Sequence, residues 1–144
     1  MLQMSLHSDL DRPFNLVVAG EAEGWVPTLG RVVGPKWVRM RNVRSDSELL
    51  DIVGSGQADA AVIDDQVAQQ PGWDCDVLNL LRLVRQLDAQ LPVVIVTEHQ
   101  ERPWLEQALR LRAYSIVSKP LAFEEFARQV YGIMTRLDRA LREN

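Results

Sequence analysis

Ala60-Ala61-Val62-Ile63-Asp64 is an apolar run closed by a carboxylate, and the chain uses the same design twice more. Val93-Val94-Ile95-Val96-Thr97 ends on a hydroxyl, and Ser115-Ile116-Val117-Ser118-Lys119-Pro120 ends on an amine followed by proline. Short unbroken runs rich in β-branched residues read as strands covered on both faces, the condition of a parallel sheet. Open α/β folds place their chemistry outside the carboxyl ends of such strands. Asp64, Thr97 and Lys119 are therefore expected along one sheet edge. A carboxylate beside a hydroxyl and a compact cation suits the holding of a phosphoryl group.

Working outward, the pattern alternates strand and helix. Phe14 to Val18 reads as a first strand, followed by a weak helix over 25–33 that Pro27, Gly30 and Gly34 shorten or bend. Trp37 to Arg41 alternates with period two, as an edge strand with one wet face does. Ser45 or Asp46 caps a helix through Leu49, Leu50, Ile52 and Val53, which Gly54 and Gly56 end. A helix over 76–87 presents Val77, Leu80, Leu81, Val84 and Leu87. Another covers 103–112 with Trp104, Leu105, Ala108 and Leu109, and a last one starts near Ala122. Strands and helices in strict alternation imply an α/β three-layer sandwich on a parallel sheet.

Composition sets the outer limits. The chain has 144 residues, enough for one domain with a sizeable core, and 47% hydrophobic with 25% charged residues is ordinary for a globular protein. A formal net charge of −4 gives the domain as a whole no footprint for nucleic acid or an anionic membrane. Cys75 is the single cysteine, so no internal disulfide forms and a reducing, cytoplasmic setting is expected. No apolar run reaches the roughly 20 residues of a membrane span. Residues 1–12 have no apolar core of a signal peptide and read as a disordered arm.

With these residues in place, the chain resembles the receiver domains of two-component response regulators over about residues 14–133. Asp59 to Asp64, Leu91 to Thr97 and Ser118-Lys119-Pro120 carry the likeness. The resemblance implies a CheY-like, flavodoxin-like (βα)5 fold with strand order 2-1-3-4-5. It implies Asp64 as phosphoacceptor, Thr97 and Lys119 as phosphoryl-binding and switch residues, and a cis bond before Pro120. The phosphoryl donor would be a histidine kinase or phosphotransferase, and Mg2+ the cofactor. The domain would signal and not act as an enzyme.

The chain also departs from that family. Where receivers carry two adjacent acids after the first strand, it reads Ala19-Gly20, with only Glu21 following. Mg2+ relies on one or two carboxylates, so the metal site reduces to Glu21 and Asp64, with Asp65 as a spare. The usual aromatic switch position is Ile116, and Tyr114 is expected on the same face by alternation. Gln66 to Gln70 lengthens the loop beside Asp64 and would cap or block the pocket, and Glu98 adds negative charge at its rim. Two readings follow: a phosphorelay receiver with a degenerate Mg2+ pocket, or a phosphorylation-independent pseudo-receiver acting through protein contacts. A flavodoxin-like enzyme or cofactor binder is a third, disfavoured because no phosphate loop accompanies the sheet; Gly54-Ser55-Gly56 follows a helix instead of opening one.

Other features have plainer explanations. Arg31, Lys36, Arg39, Arg41 and Arg44 read as a cation-studded sheet edge that resists aggregation. His7 and His99 have no partners at metal-ligand spacing. Trp25, Trp37, Trp73 and Trp104 are expected to pack. The last helix places Phe123, Phe126, Val130, Ile133, Leu137 and Ala140 at spacings of 3, 4, 3, 4 and 3. Its first half should cover the sheet. From Ile133 on, the stripe is expected to project from the 13–133 domain, so that 134–144 forms a homodimer seam or a linker.

Overall fold

The computed structural model describes residues 12–34 and 37–142, with the side chains of Glu21 and of 141–142 outside the description. Residues 1–11 of the expected N-terminal arm, His7 among them, and Lys36 therefore lie outside the described residues. The elements run β1 (Phe14–Ala19), a 3-10 helix (Gly20–Trp25), α1 (Val26–Val33), β2 (Val38–Asn42), α2 (Asp46–Gly54) and β3 (Ala60–Asp64). A second 3-10 helix (Asp65–Gln69) leads to α3 (Val77–Leu87), β4 (Val93–Thr97), α4 (Arg102–Arg110), β5 (Ser115–Ser118) and α5 (Phe123–Arg142). The five strands are parallel, in the order β2-β1-β3-β4-β5. This is the flavodoxin-like receiver architecture, with a long last helix.

Sequence chemistry explains the layers. Every residue of β3 and β4 is buried, because helices cover both faces of a parallel sheet. β2 is half wet, with Arg39 and Arg41 exposed, which fits its place at the edge. Alternate strand residues feed two cores. Val17, Ile63 and Ile95 meet Leu49 and Ile52 of α2 and Leu80 and Val84 of α3 on one side. Leu16, Val62 and Val94 meet Leu29 of α1 and Phe126 and Val130 of α5 on the other.

Helix starts are chemically specified. The Ser45 hydroxyl accepts from the Glu48 N–H at 3.0 Å, while the Glu48 carboxylate accepts from the Arg44 N–H at 3.0 Å, a close variant of the capping box. Asp76 caps α3 by accepting from the Asn79 N–H at 2.8 Å.

Two expectations need correcting. Ile133 does not project from the domain: it is 1% exposed in the second core, with Met134 buried beside it and Leu137 packed against the same cluster. The heptad spacing arises because α5 runs along the sheet for more turns than expected, so the core extends past residue 133 into the segment 134–144. Tyr114 and Ile116 also lie on opposite sides, Tyr114 against the second core and Ile116 against the first. Tyr114 precedes the first residue of β5, so strand alternation does not reach it.

Candidate functional site

Register assembles the carboxyl edge. Asp64 is the last residue of β3 and pairs with Val96, while Thr97 ends β4 and pairs with Ser118 at the end of β5. Lys119 is the next residue, and its N–H donates to the Thr97 carbonyl at 3.1 Å, which fixes where its side chain starts. The Lys119–Pro120 peptide bond is cis. Lys119 Nζ lies 2.6 Å from Asp64 Oδ1, and the two side chains are only 9% and 5% exposed. Asp64 Oδ1 also accepts from the Gln66 N–H at 2.9 Å, as the second 3-10 helix begins. Asp64 and Lys119 border an open cleft of about 560 Å3 whose rim includes Gly20, Glu23, Gln66 and Glu98.

Thr97 is engaged elsewhere. Its hydroxyl donates to Asp65 Oδ2 at 2.6 Å and accepts from the His99 N–H at 2.9 Å. The His99 ring stands 3.5 Å from the same Asp65 oxygen through Nε2 and 2.9 Å from Glu101 Oε2 through Nδ1. It stacks on Trp104 at 4.5 Å. The Glu101 carboxyl is held below its usual range by backbone N–H donors and by His99. Two consecutive acids thus divide the edge: Asp64 takes the cation, and Asp65 takes the hydroxyl and faces the imidazole. Sequence reasoning treated Asp65 as a spare and gave His99 no role, because neither partnership follows from spacing along the chain.

The β1 turn is the other unexpected feature. Gly20 has φ +88°, and a Cβ built on it would stand 2.3 Å from the Asp64 Cβ and 3.1 Å from Val67 Cγ1. Only a residue without a side chain can hold this backbone conformation and this approach together. The signal was present as a glycine directly after a strand. Its meaning required the neighbour across the sheet.

Receiver domains bind Mg2+ at the phosphorylation site, an ion that relies on carboxylates left open to it. Among the described residues no group of three His, Cys, Asp or Glu side chains is arranged to hold a metal. Gly20 contributes no side-chain donor and has no room for one. Glu23 is 2.6 Å from Arg44, and Asp64 is engaged by Lys119. The side chain of Glu21, expected as the second ligand, lies outside the described residues. The described donor set does not fit the ion.

The family of the chain follows from comparison. The response regulator receiver domain family matches residues 25–131. The C4-dicarboxylate transport transcriptional regulatory protein DctD of Pseudomonas aeruginosa is 35% identical over 75 residues, which are 52% of this chain and 15% of that protein. The chain thus spans only a small part of that relative's length.

Among solved structures, the signal receiver domain of an HD domain-containing protein from Pseudomonas fluorescens superposes with a TM-score of 0.71 at 16% identity, covering 98% of this chain and 99% of that one. A CheY-like receiver domain protein from Methanospirillum hungatei gives 0.70 at 11% identity, covering 89% and 98%. At such identities these likenesses speak for the fold, and the family match adds the kind of domain. No helix among the described residues is long and apolar enough to cross a membrane. The chain belongs to the response regulator receiver domain family.

Proposed function

We propose that this receiver domain works as a phosphorylation-independent interaction module, a pseudo-receiver that passes its signal by contact with another signalling protein. One observation carries the reading: Gly20 lies so close to Asp64 that a side chain at this position, where receivers carry a metal-binding acid, would run into the side chains of Asp64 and Val67. The edge is also internally paired, with the Lys119 cation on Asp64 and the Thr97 hydroxyl donating to Asp65. A phosphoryl group on Asp64 would bring several anionic oxygens beside Glu23 and Glu98, with Lys119 as the cation at the cleft.

A second reading keeps Asp64 as phosphoacceptor in a two-component relay, receiving its phosphoryl group from a histidine kinase or phosphotransferase. It draws on the short Lys119–Asp64 distance and on the open cleft that Asp64 borders. One experiment separates the two. The protein is incubated with a small-molecule phosphodonor, with and without millimolar Mg2+, and its intact mass is followed. The pseudo-receiver reading expects no gain under either condition. A Mg2+-dependent gain of one phosphate that disappears in Asp64→Asn would replace it with the second reading.

A further inference from the structure

At the end of the sheet opposite Asp64, where β4 and β5 begin, the described residues bound a second cleft of about 580 Å3. Its walls combine Arg85 of α3, Pro92, Arg112 and Tyr114 of the α4–β5 turn, and Arg136 and Leu137 of α5. Three arginines thus line one concavity of a chain whose formal net charge is −4.

Among the described residues, no carboxylate forms an ion pair with Arg112 or Arg136, and Asp88 is the acid that acts on Arg85. Asp59 is the one carboxylate in the lining, and Arg12 holds it by two bonds of 2.6 and 2.8 Å while the Asn15 N–H adds a third at 2.7 Å. Arg85 is directed to carbonyls, donating to Leu111 at 2.9 Å, Arg112 at 2.8 Å and Asp88 at 3.3 Å. Burial, and to a lesser degree the charge of Arg112, push the Arg85 guanidinium below the usual arginine range against the opposing pull of Asp88. Arg85 is therefore a positioning residue. It ties down the turn in which Arg112 sits at φ +62°.

Arg136 lies over the Tyr114 ring, 5.9 Å from its centroid. Neither Arg112 nor Arg136 pairs with a carboxylate among the described residues, and both are exposed. Pro92 and Leu137 add apolar surface to the same lining. The volume is that of a small-molecule site, for which about 300–1,000 Å3 is usual.

We propose that this cleft binds a small organic oxyanion, a carboxylate or phosphate ester with an apolar body. Arg112 and Arg136 grip the oxyanion, and the body lies against Pro92 and Leu137. Guanidinium groups present paired N–H donors that match the oxygens of such a head group. The site stands at the far end of the sheet from Asp64, so its binding can be probed whether or not Asp64 accepts phosphate.

The test is a two-dimensional amide NMR titration of the full chain with phenyl phosphate, benzoate, inorganic phosphate and benzyl alcohol. Saturable shifts at Tyr114, Arg136 and Leu137 are expected with phenyl phosphate and benzoate. Inorganic phosphate should bind more weakly, and benzyl alcohol should leave those amides unmoved. Arg136→Gln, an exposed position, should weaken phenyl phosphate binding about tenfold, which equals about 1.4 kcal/mol. Arg112→Asn, a residue that tolerates positive φ, should weaken it similarly. Arg44→Gln should not. Absence of saturable shifts, shifts confined to the Lys119 end, or equal weakening by Arg44→Gln would each overturn the proposal.

Discussion

Gly20→Ala is the substitution that bears most directly on the reading of the pocket. The added methyl would meet the Asp64 Cβ at 2.3 Å and both Asp64 Cγ and Val67 Cγ1 at 3.1 Å. Carbon atoms rest at about 3.5–4.0 Å from one another, so either the β1 turn or the end of β3 must move by about an ångström. Neither is free to do so. β1 and β3 are hydrogen-bonded neighbours through Ala19 and Ile63, one residue back from the collision. Overpacking of this kind costs about 1–3 kcal/mol. The backbone adds its own term, since φ at +88° suits glycine and costs an L-residue about 1–2 kcal/mol. The sum is a loss of about 2–5 kcal/mol.

Urea denaturation measures the loss as a lower midpoint at unchanged slope. A double-mutant cycle with Asp64→Gly separates the two terms, because removing the Asp64 Cβ relieves the worst contact and leaves the φ cost. A coupling of about 1–3 kcal/mol is expected, the pair being less damaging than the sum. A loss below about 0.5 kcal/mol for Gly20→Ala would refute the reasoning. It would mean that the turn has room for a side chain, and that an acid at this position is sterically admissible.

Two further outcomes follow from the same edge and from α2. Lys119→Met leaves the buried Asp64 carboxylate without its cation and should cost about 3–5 kcal/mol in urea; a neutral result would mean that the pair is solvated. Asp46, which is 8% exposed and accepts from the Asp74 and Ser47 N–H groups, has its carboxyl pKa held below the ordinary value by those donors. Its stabilisation is complete above the unfolded value of about 3.9 and drains as pH falls through the folded one. Asp46→Asn should therefore flatten the acid limb of a stability–pH profile, and an unaltered limb would show that other carboxylates set it.

How much of this was legible in the chain differs from element to element. The three apolar runs ending in Asp64, Thr97 and Lys119 specify buried parallel strands, and the order of the sheet follows once the family is recognised. The cap at Ser45 was readable because capping is local chemistry between residues three apart, and by the same chemistry Asp76, read as the first residue of a helix, is its cap. Ile133 was misread because a heptad spacing describes one helix face without saying what covers it. Strand alternation misplaced Tyr114, which lies before the strand begins. The Thr97–Asp65 bond was not legible, since it joins residues 32 apart. Which of two adjacent acids reaches the hydroxyl depends on how the chain turns after β3. Here the turn is a 3-10 helix in which Asp64 itself accepts from the Gln66 N–H.

That turn matters for what the edge can do as a switch. On the proposed reading, a group added at Asp64 would have to draw the Thr97 hydroxyl away from Asp65 and disturb the His99 N–H that bonds to it. A hydrogen bond to a charged group contributes about 1.5–3 kcal/mol, and coupling between sites in allosteric proteins is typically about 1–3 kcal/mol. The local cost is as large as the coupling it would have to generate. Asp65 also carries a buried oxygen, Oδ1, with no hydrogen-bond partner, so its remaining bond to Thr97 is not easily surrendered. On the proposed reading, an edge wired in this way keeps one arrangement, with Lys119 on Asp64 and Thr97 on Asp65. A domain fixed so is better suited to presenting a constant surface to a partner than to alternating between two states.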